Sequence, residues 1–301
     1  MISFILIVIV SLFFTGIVIR TKSIFSGRKG PRIFQPITDI FRLFRKGSVY
    51  SETTGIIFRV APVIYFASVV MAILVIPVGR YGSLISFEGD FIFFAYVLAF
   101  GKFFSIISAL DTGSSFEGMG ASREALYSML VEPAFFVLMG SLALLTGYTS
   151  FYDIFMSFDL DSYFAYALGL MATFILIMIA MIENSRMPVD DPKTHLELTM
   201  IHEVMILDNS GFDLGLIMHA SNLKFAMYGA LIANLYLGEA TGIFTIPIFL
   251  GVQLLFAVCA GALESFAARF RMNHNPQFIF TLSSVSLLIF FGVILILNKM
   301  N

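Results

Sequence analysis

Eight apolar runs of about 20 residues each divide this chain, near 2–19, 56–76, 91–110, 133–149, 164–182, 214–236, 243–263 and 277–297. Hydrocarbon offers a backbone amide no partner, so a segment of that length satisfies its amides internally, as a helix. The expectation is an all-α, polytopic membrane protein of about eight transmembrane helices, forming a single integral membrane domain over residues 1–301. The charge content agrees, because 13% of residues are charged where soluble chains average about 25%.

The first run has no basic residue before it and no A-x-A site after it, so it reads as a retained span and not as a signal peptide. A net charge of −2 argues against a nucleic-acid partner. The single cysteine, Cys259, lies within an apolar run, which excludes an internal disulfide and any cysteine-ligated cluster carried by this chain alone.

The basic residues set an orientation. With the N-terminus outside, the inner loops hold thirteen of them: Arg20, Lys22, Arg28, Lys29, Arg32, Arg42, Arg45, Lys46, Arg123, Arg186, Lys193, Arg269 and Arg271. The outer side keeps two, Arg80 and Lys299. That bias follows the positive-inside rule. The inner connections are also the long, polar ones, so the working or docking surface is expected on the cytoplasmic side.

In the first inner loop, Ile37, Ile40, Phe41 and Phe44 recur at helical spacing opposite Arg42, Arg45 and Lys46, which predicts an amphipathic helix at the membrane surface. Lipid anchoring and a grip on a neighbouring subunit are equally open for it. The second loop contains Gly118-Met119-Gly120, which has neither the lysine nor the preceding strand of a phosphate loop and reads as close backbone packing. A helix capped by Ser122 follows, with Glu124 and Glu132 eight residues apart near one face.

Seven of the twenty acidic residues fall between Glu183 and Asp213. A helix is expected over Thr194 to Leu207, carrying Glu197 and Glu203 on different sides. His195 and His202, seven apart on it, raise a metal site, but ligand pairs on a helix are usually three or four apart and no third ligand is evident. Hydrogen-bonded or solvated imidazoles are the expectation. Lys102, Lys224, Glu132, Glu183 and Glu264 lie within runs or at their ends, where an ionised group costs about 2.5–3.5 kcal/mol at the centre. Such groups face polar cavities or one another, or in the case of the two lysines snorkel to the headgroups. Glu264 has no ideally spaced partner in Arg269 or Arg271. No G-x-S-x-G or H-E-x-x-H pattern occurs, so no catalytic centre is expected in this chain.

The inner loops resemble a known family. GRKGPRIFQPITDIFRLFRK (27–46) is similar to the first loop of the respiratory complex I family of membrane proteins that join the redox arm to the membrane arm, whose relatives serve membrane-bound group 4 nickel-iron hydrogenases. LDTGSSFEGMGASREAL (110–126) and DDPKTHLELTMIHEVMILDNSG (190–211) resemble the hydrogenase branch, the membrane anchor of formate hydrogenlyase and energy-converting hydrogenases. Asp208-Asn209 stand where both branches carry Glu-Tyr, which shortens that carboxylate by one methylene.

The resemblance implies a path for protons or sodium ions, coupled to electron transfer, through Glu124, Glu132, Glu183, Glu197, Glu203, Asp208 and Glu264. It also implies docking of a hydrophilic redox arm on Arg28, Arg32, Gln35, Asp39, Arg123, Asp190 and Asp191. Implied partners are hydrogenase-like large and small subunits and antiporter-like membrane subunits, in a prokaryotic cytoplasmic membrane. The nickel-iron centre and iron-sulfur clusters would sit in the partner subunits, with none bound by this chain, and a quinone remains an option. The alternatives are a quinone-binding subunit of complex I and a stand-alone secondary transporter. The transporter is disfavoured because Gly and Pro breaks are not matched between two halves.

Overall fold

The computed structural model describes residues 1–158, 163–190, 200–238 and 242–300. Its helices are α1 (Ile2–Phe25), α2 (Gln35–Phe44), α3 (Ile56–Leu74), α4 (Asp90–Asp111), α5 (Ser115–Thr146), α6 (Phe151–Ser157), α7 (Tyr163–Glu183), α8 (His202–Met205), α9 (Gly211–Leu237), α10 (Gly242–Phe266) and α11 (Asn275–Met300). Among the described residues there is no strand beyond an isolated bridge between Val78 and Tyr81. The fold is all-helical, as the apolar runs predict.

Among the described residues seven helices are long and apolar enough to cross a membrane: α1, α3, α4, α5, α7, α10 and α11. The remaining run, 214–236, is α9, whose 27 residues span about 40 Å. It carries Asn222, Lys224 and Asn234, all buried, because it packs against α1, α2, α3, α7 and α10. A helix wrapped by protein meets side chains where its neighbours meet lipid, so it tolerates polar groups that a lipid-facing helix does not.

The crossings alternate, so one end of the bundle gathers α2 and α8, and the other gathers α6 and the 75–89 loop. At the α2 end the Asp111 carboxylate accepts the N–H of Gly55 at 2.7 Å and of Phe58 at 3.3 Å, capping α3 from the C-terminus of α4. At the α6 end Asp90 accepts the N–H of Phe151 at 2.7 Å and the Ser150 hydroxyl at 3.1 Å, capping α6 in the same way.

Two expectations for the loops are corrected. The second inner loop is largely helix: α5 begins at Ser115 and runs through Gly118, Gly120 and Pro133, and Ser122 lies inside it, donating back to the Met119 carbonyl. Gly120 does permit close packing, since a Cβ there would lie 2.7 Å from the Ile201 carbonyl oxygen. Of the helix expected over 194–207, residues 194–199 lie outside the described residues, and of the described remainder only His202–Met205 is helical. The Asp190 carboxylate takes the N–H groups of Ile201 and His202, fixing the approach to α8 through a side chain. The amphipathic helix forms as α2, with Ile40 buried and Phe41 exposed.

Candidate functional site

Four buried side chains from four helices form an alternating row of charge. Glu124 of α5 meets Lys102 of α4 at 3.0 Å, Lys102 meets Glu183 of α7 at 2.9 Å, and Glu183 meets Lys224 of α9 at 3.1 Å. The Lys224 ammonium also donates to the Glu183 carbonyl at 2.8 Å. The four side chains are between 2% and 13% exposed. With every group ionised the row is electrically neutral, the one state in which a low-dielectric site tolerates four charges. Neither lysine snorkels, because each has a carboxylate within reach.

Two cavities flank this row. The larger, about 340 Å³, lies beneath α2 and is lined by Gln35 and Asp39 of α2, Asn184, Ser185 and Arg186 after α7, His202 and Glu203 of α8, and Ser221 and Asn222 of α9. The smaller, about 190 Å³, opens between α4 and α5 and is largely apolar, with Lys102, Ser128, Glu132, Glu183 and Tyr228 as its polar lining. Ser185 joins the first cavity to the row, its hydroxyl 3.4 Å from a Glu124 carboxylate oxygen. Lys102 and Glu183 join the row to the second.

A second ionic cluster closes the α10 side. Glu264, 1% exposed at its side chain, is shared by Arg186 at 3.1 Å and Lys22 at 3.3 Å. Arg269 pairs with Asp190 at 2.8 Å, so the partners of Glu264 come from α1 and from the segment after α7 and not from its own loop. Burial depresses the basicity of the His202 imidazole; Glu124 acts against that shift, and Lys224, Lys102 and Arg186 reinforce it.

The sequence-predicted residues divide among these places. Glu124 and Glu183 stand in the row, Glu132 in the smaller cavity, Glu203 and Asp39 in the larger, and Glu264 in the second cluster. Asp208 is exposed, and its N–H is held by Glu117 at 3.1 Å. Arg28 and Arg32 are exposed, and Gln35 donates to Asp39 at 2.9 Å. Asp190 is turned inward, 1% exposed, and Arg123 donates to the Met200 carbonyl at 3.0 Å. Asp191, Glu197 and His195 lie outside the described residues. Among the described residues no group of three or more His, Cys, Asp and Glu is arranged to hold a metal ion.

Lys102 and Lys224 complete the row, although the sequence reading left them outside the site; the readable signal was a lysine embedded in an apolar run. Glu117 was missed too, buried with one carboxylate oxygen on the Asp208 N–H and the other with no hydrogen bond among the described residues. Nothing in its spacing distinguishes it from a solvated acid.

Comparison with known proteins gives a consistent result. The chain is 31% identical over 229 residues to hydrogenase-4 component C of Escherichia coli, covering 74% of this chain and 70% of that protein. It is 28% identical over 276 residues to formate hydrogenlyase subunit 4 of the same organism, covering 87% of each. Over 185 residues it is 25% identical to NADH-ubiquinone oxidoreductase chain 1 of Chondrus crispus, covering 59% of this chain and 56% of that one. A chain in the structure of the membrane-bound sulfane sulfur reductase, an archaeal respiratory membrane complex, has the same fold, with a TM-score of 0.81 at 19% identity over 96% of both chains. The pattern of the NADH dehydrogenase family matches residues 1–295, and this multi-pass membrane protein belongs to that family.

Proposed function

We propose that this chain is the membrane anchor subunit of a group 4 nickel-iron hydrogenase or similar complex I-like assembly in a prokaryotic cytoplasmic membrane. It docks a hydrophilic redox arm and couples electron transfer there to proton movement. The observation that carries this reading is the neutral row Glu124, Lys102, Glu183, Lys224, set between a polar cavity beneath α2 and an apolar one facing α4 and α5.

A proton arriving at Glu124 from the α2 cavity neutralises that carboxylate and leaves Lys102 with Glu183 as its sole counter-charge. The excess positive charge then passes along the row by shifts of hydrogen bonds and ammonium groups over distances near 3 Å. Glu132, which lines the second cavity, is the next acceptor and the point of hand-over to a neighbouring membrane subunit. Exposed Arg28 and Arg32, beside α2, offer the docking arm a basic surface. Catalytic metal and iron-sulfur centres belong to the partner subunits in this reading.

The test is the assembled complex in sealed vesicles, with electron transfer and internal pH followed together. Glu183→Gln is expected to abolish acidification while electron transfer from a soluble donor continues. Acidification at the parental rate would remove the row from the pathway, and flux that needs sodium in place of protons would change the ion.

One observation favours a second reading, a quinone-binding subunit: the α2 cavity combines Gln35, Asp39, Arg186 and His202 with an apolar wall of Ile19, Ile40, Ile206 and Met218. Protection of this cavity from side-chain labelling by a short-chain quinone would support it.

A further inference from the structure

We propose that His202 is the proton relay between the α2 cavity and Glu124. This rests on the ion-path reading above and identifies its first step. His202 and Ser185 line the same cavity, and the Ser185 hydroxyl lies 3.4 Å from a Glu124 oxygen. Ser185 therefore links the cavity wall to the row.

The backbone that carries the ring is held in place. One oxygen of Asp190 accepts the His202 N–H at 3.2 Å and the Ile201 N–H at 3.1 Å, while the other is pinned by Arg269 at 2.8 Å. An ionic clamp thus fixes the first residue of α8 against the cavity, and a relay needs that kind of fixed placement.

The groups around the ring suit a transient proton. Glu124 of α5 attracts a proton towards the ring, while Lys102 of α4, Lys224 of α9 and Arg186 after α7 repel it. Glu203, its neighbour on α8, and Asp39 of α2 line the same cavity. Burial and the three cations outweigh Glu124, so the resting imidazole is neutral and holds a proton only in passing. A hydronium ion in the cavity gives its proton to one ring nitrogen, forming an N–H as an O–H breaks. The opposite nitrogen then releases its own proton to a bridging water, which passes one of its own to a Glu124 oxygen to form a carboxylic O–H, and the ring returns neutral as the other tautomer. Ser185 cannot replace it as a carrier, because a hydroxyl neither holds nor releases an excess proton readily near neutral pH.

The assembled complex in vesicles and sodium-free buffer tests this with His202→Ala, His202→Gln and, in parallel, Glu183→Gln. Both His202 variants are expected to slow acidification by about a hundredfold or more with electron transfer retained, and added imidazole is expected to restore His202→Ala alone. A merely structural histidine would not respond to imidazole, so slowing without rescue overturns the relay. Parental acidification in His202→Gln overturns it as well, and that variant carries the test if His202→Ala does not assemble. If Glu183→Gln also acidifies normally, the ion path itself fails; if only the His202 variants do, the path stands and the relay falls.

Discussion

Helices α4, α5 and α9 change character along their length. Towards the α2 end they carry Lys102, Glu124 and Lys224, in register with Glu183 of α7. Towards the α6 end the same helices, with α6 itself, present Phe94, Phe135, Leu138, Tyr228 and Phe151. There Phe94 packs on Phe135 and on Phe151 with ring centroids 5.5 Å apart in both pairs. The described acid at the base of that aromatic layer, Asp90, has its carboxylate oxygens engaged in capping α6. One half is organised to hold charge and the other to exclude it. Under the proposed function, a proton loaded from the α2 end would leave sideways past Glu132, which lines the cavity between α4 and α5, and would not continue through the aromatic layer.

The largest expected effect falls on the charged half. Glu183→Gln strips the shared counter-charge from Lys102 and Lys224, and removing one partner of a buried ion pair costs about 3–5 kcal/mol. Thermal unfolding in detergent is expected to drop accordingly. Unchanged stability would mean that the lysines are solvated and that the two halves are less different than their contacts imply.

Leu138→Ala, in the α6 half, tests the other side of the contrast. Leu138 is fully buried, and such truncations cost about 2–5 kcal/mol through lost burial and the cavity left behind. Acidification per assembled complex is expected to stay at the parental rate. A proton leak in this variant would show that the aromatic layer is a gate and part of the path.

These two halves were unequally legible. The bilayer dictates helix length, so eight apolar runs located eight helices, and even α9, which fails on hydropathy alone, stood out as a run. The seven residues of α6 were not foreseen, because their cap comes from Asp90, 61 positions away at Phe151. The row was visible only as costly isolated charges. Its pairs join residues far apart in sequence, Lys224 to Glu183 and Lys102 to Glu124, which no helical spacing reveals. Glu264 illustrates the same limit: local spacing offered Arg269 and Arg271, whereas the chain brings Lys22 and Arg186 to it. Gly118, Gly120 and Pro133, weak helix formers, made the start of α5 read as a loop, although its neighbours hold it helical.

A smaller effect is expected where the charged half meets the surface. Asp190→Asn retains an acceptor for the Ile201 and His202 amides but gives up the charge facing Arg269. Weakening charge-assisted bonds in a buried site costs about 1–3 kcal/mol. Faster hydrogen exchange at Ile201 and His202, with no change at Phe151, is the expected signature. Equal acceleration at both places would make α8 and α6 one cooperative unit.

The smallest effect is a pH dependence that also separates the halves. Burial holds the His202 imidazole below its ordinary value of 6.5. As pH falls below that ordinary value the unfolded chain binds a proton that the folded chain still refuses. The contribution of His202 to stability is therefore fully present above pH 6.5 and is lost as pH falls through the folded value. One proton limits the slope to about 1.4 kcal/mol per pH unit. Unfolding temperature in detergent, taken across this range for the parent and for His202→Gln, isolates the histidine, because every other titrating group contributes to both curves. The difference between the curves is expected to narrow as the medium becomes acidic. Parallel curves would mean that the imidazole titrates as freely as in water, and the α2 cavity would then be open solvent whose wall confers no selectivity on the proton it admits.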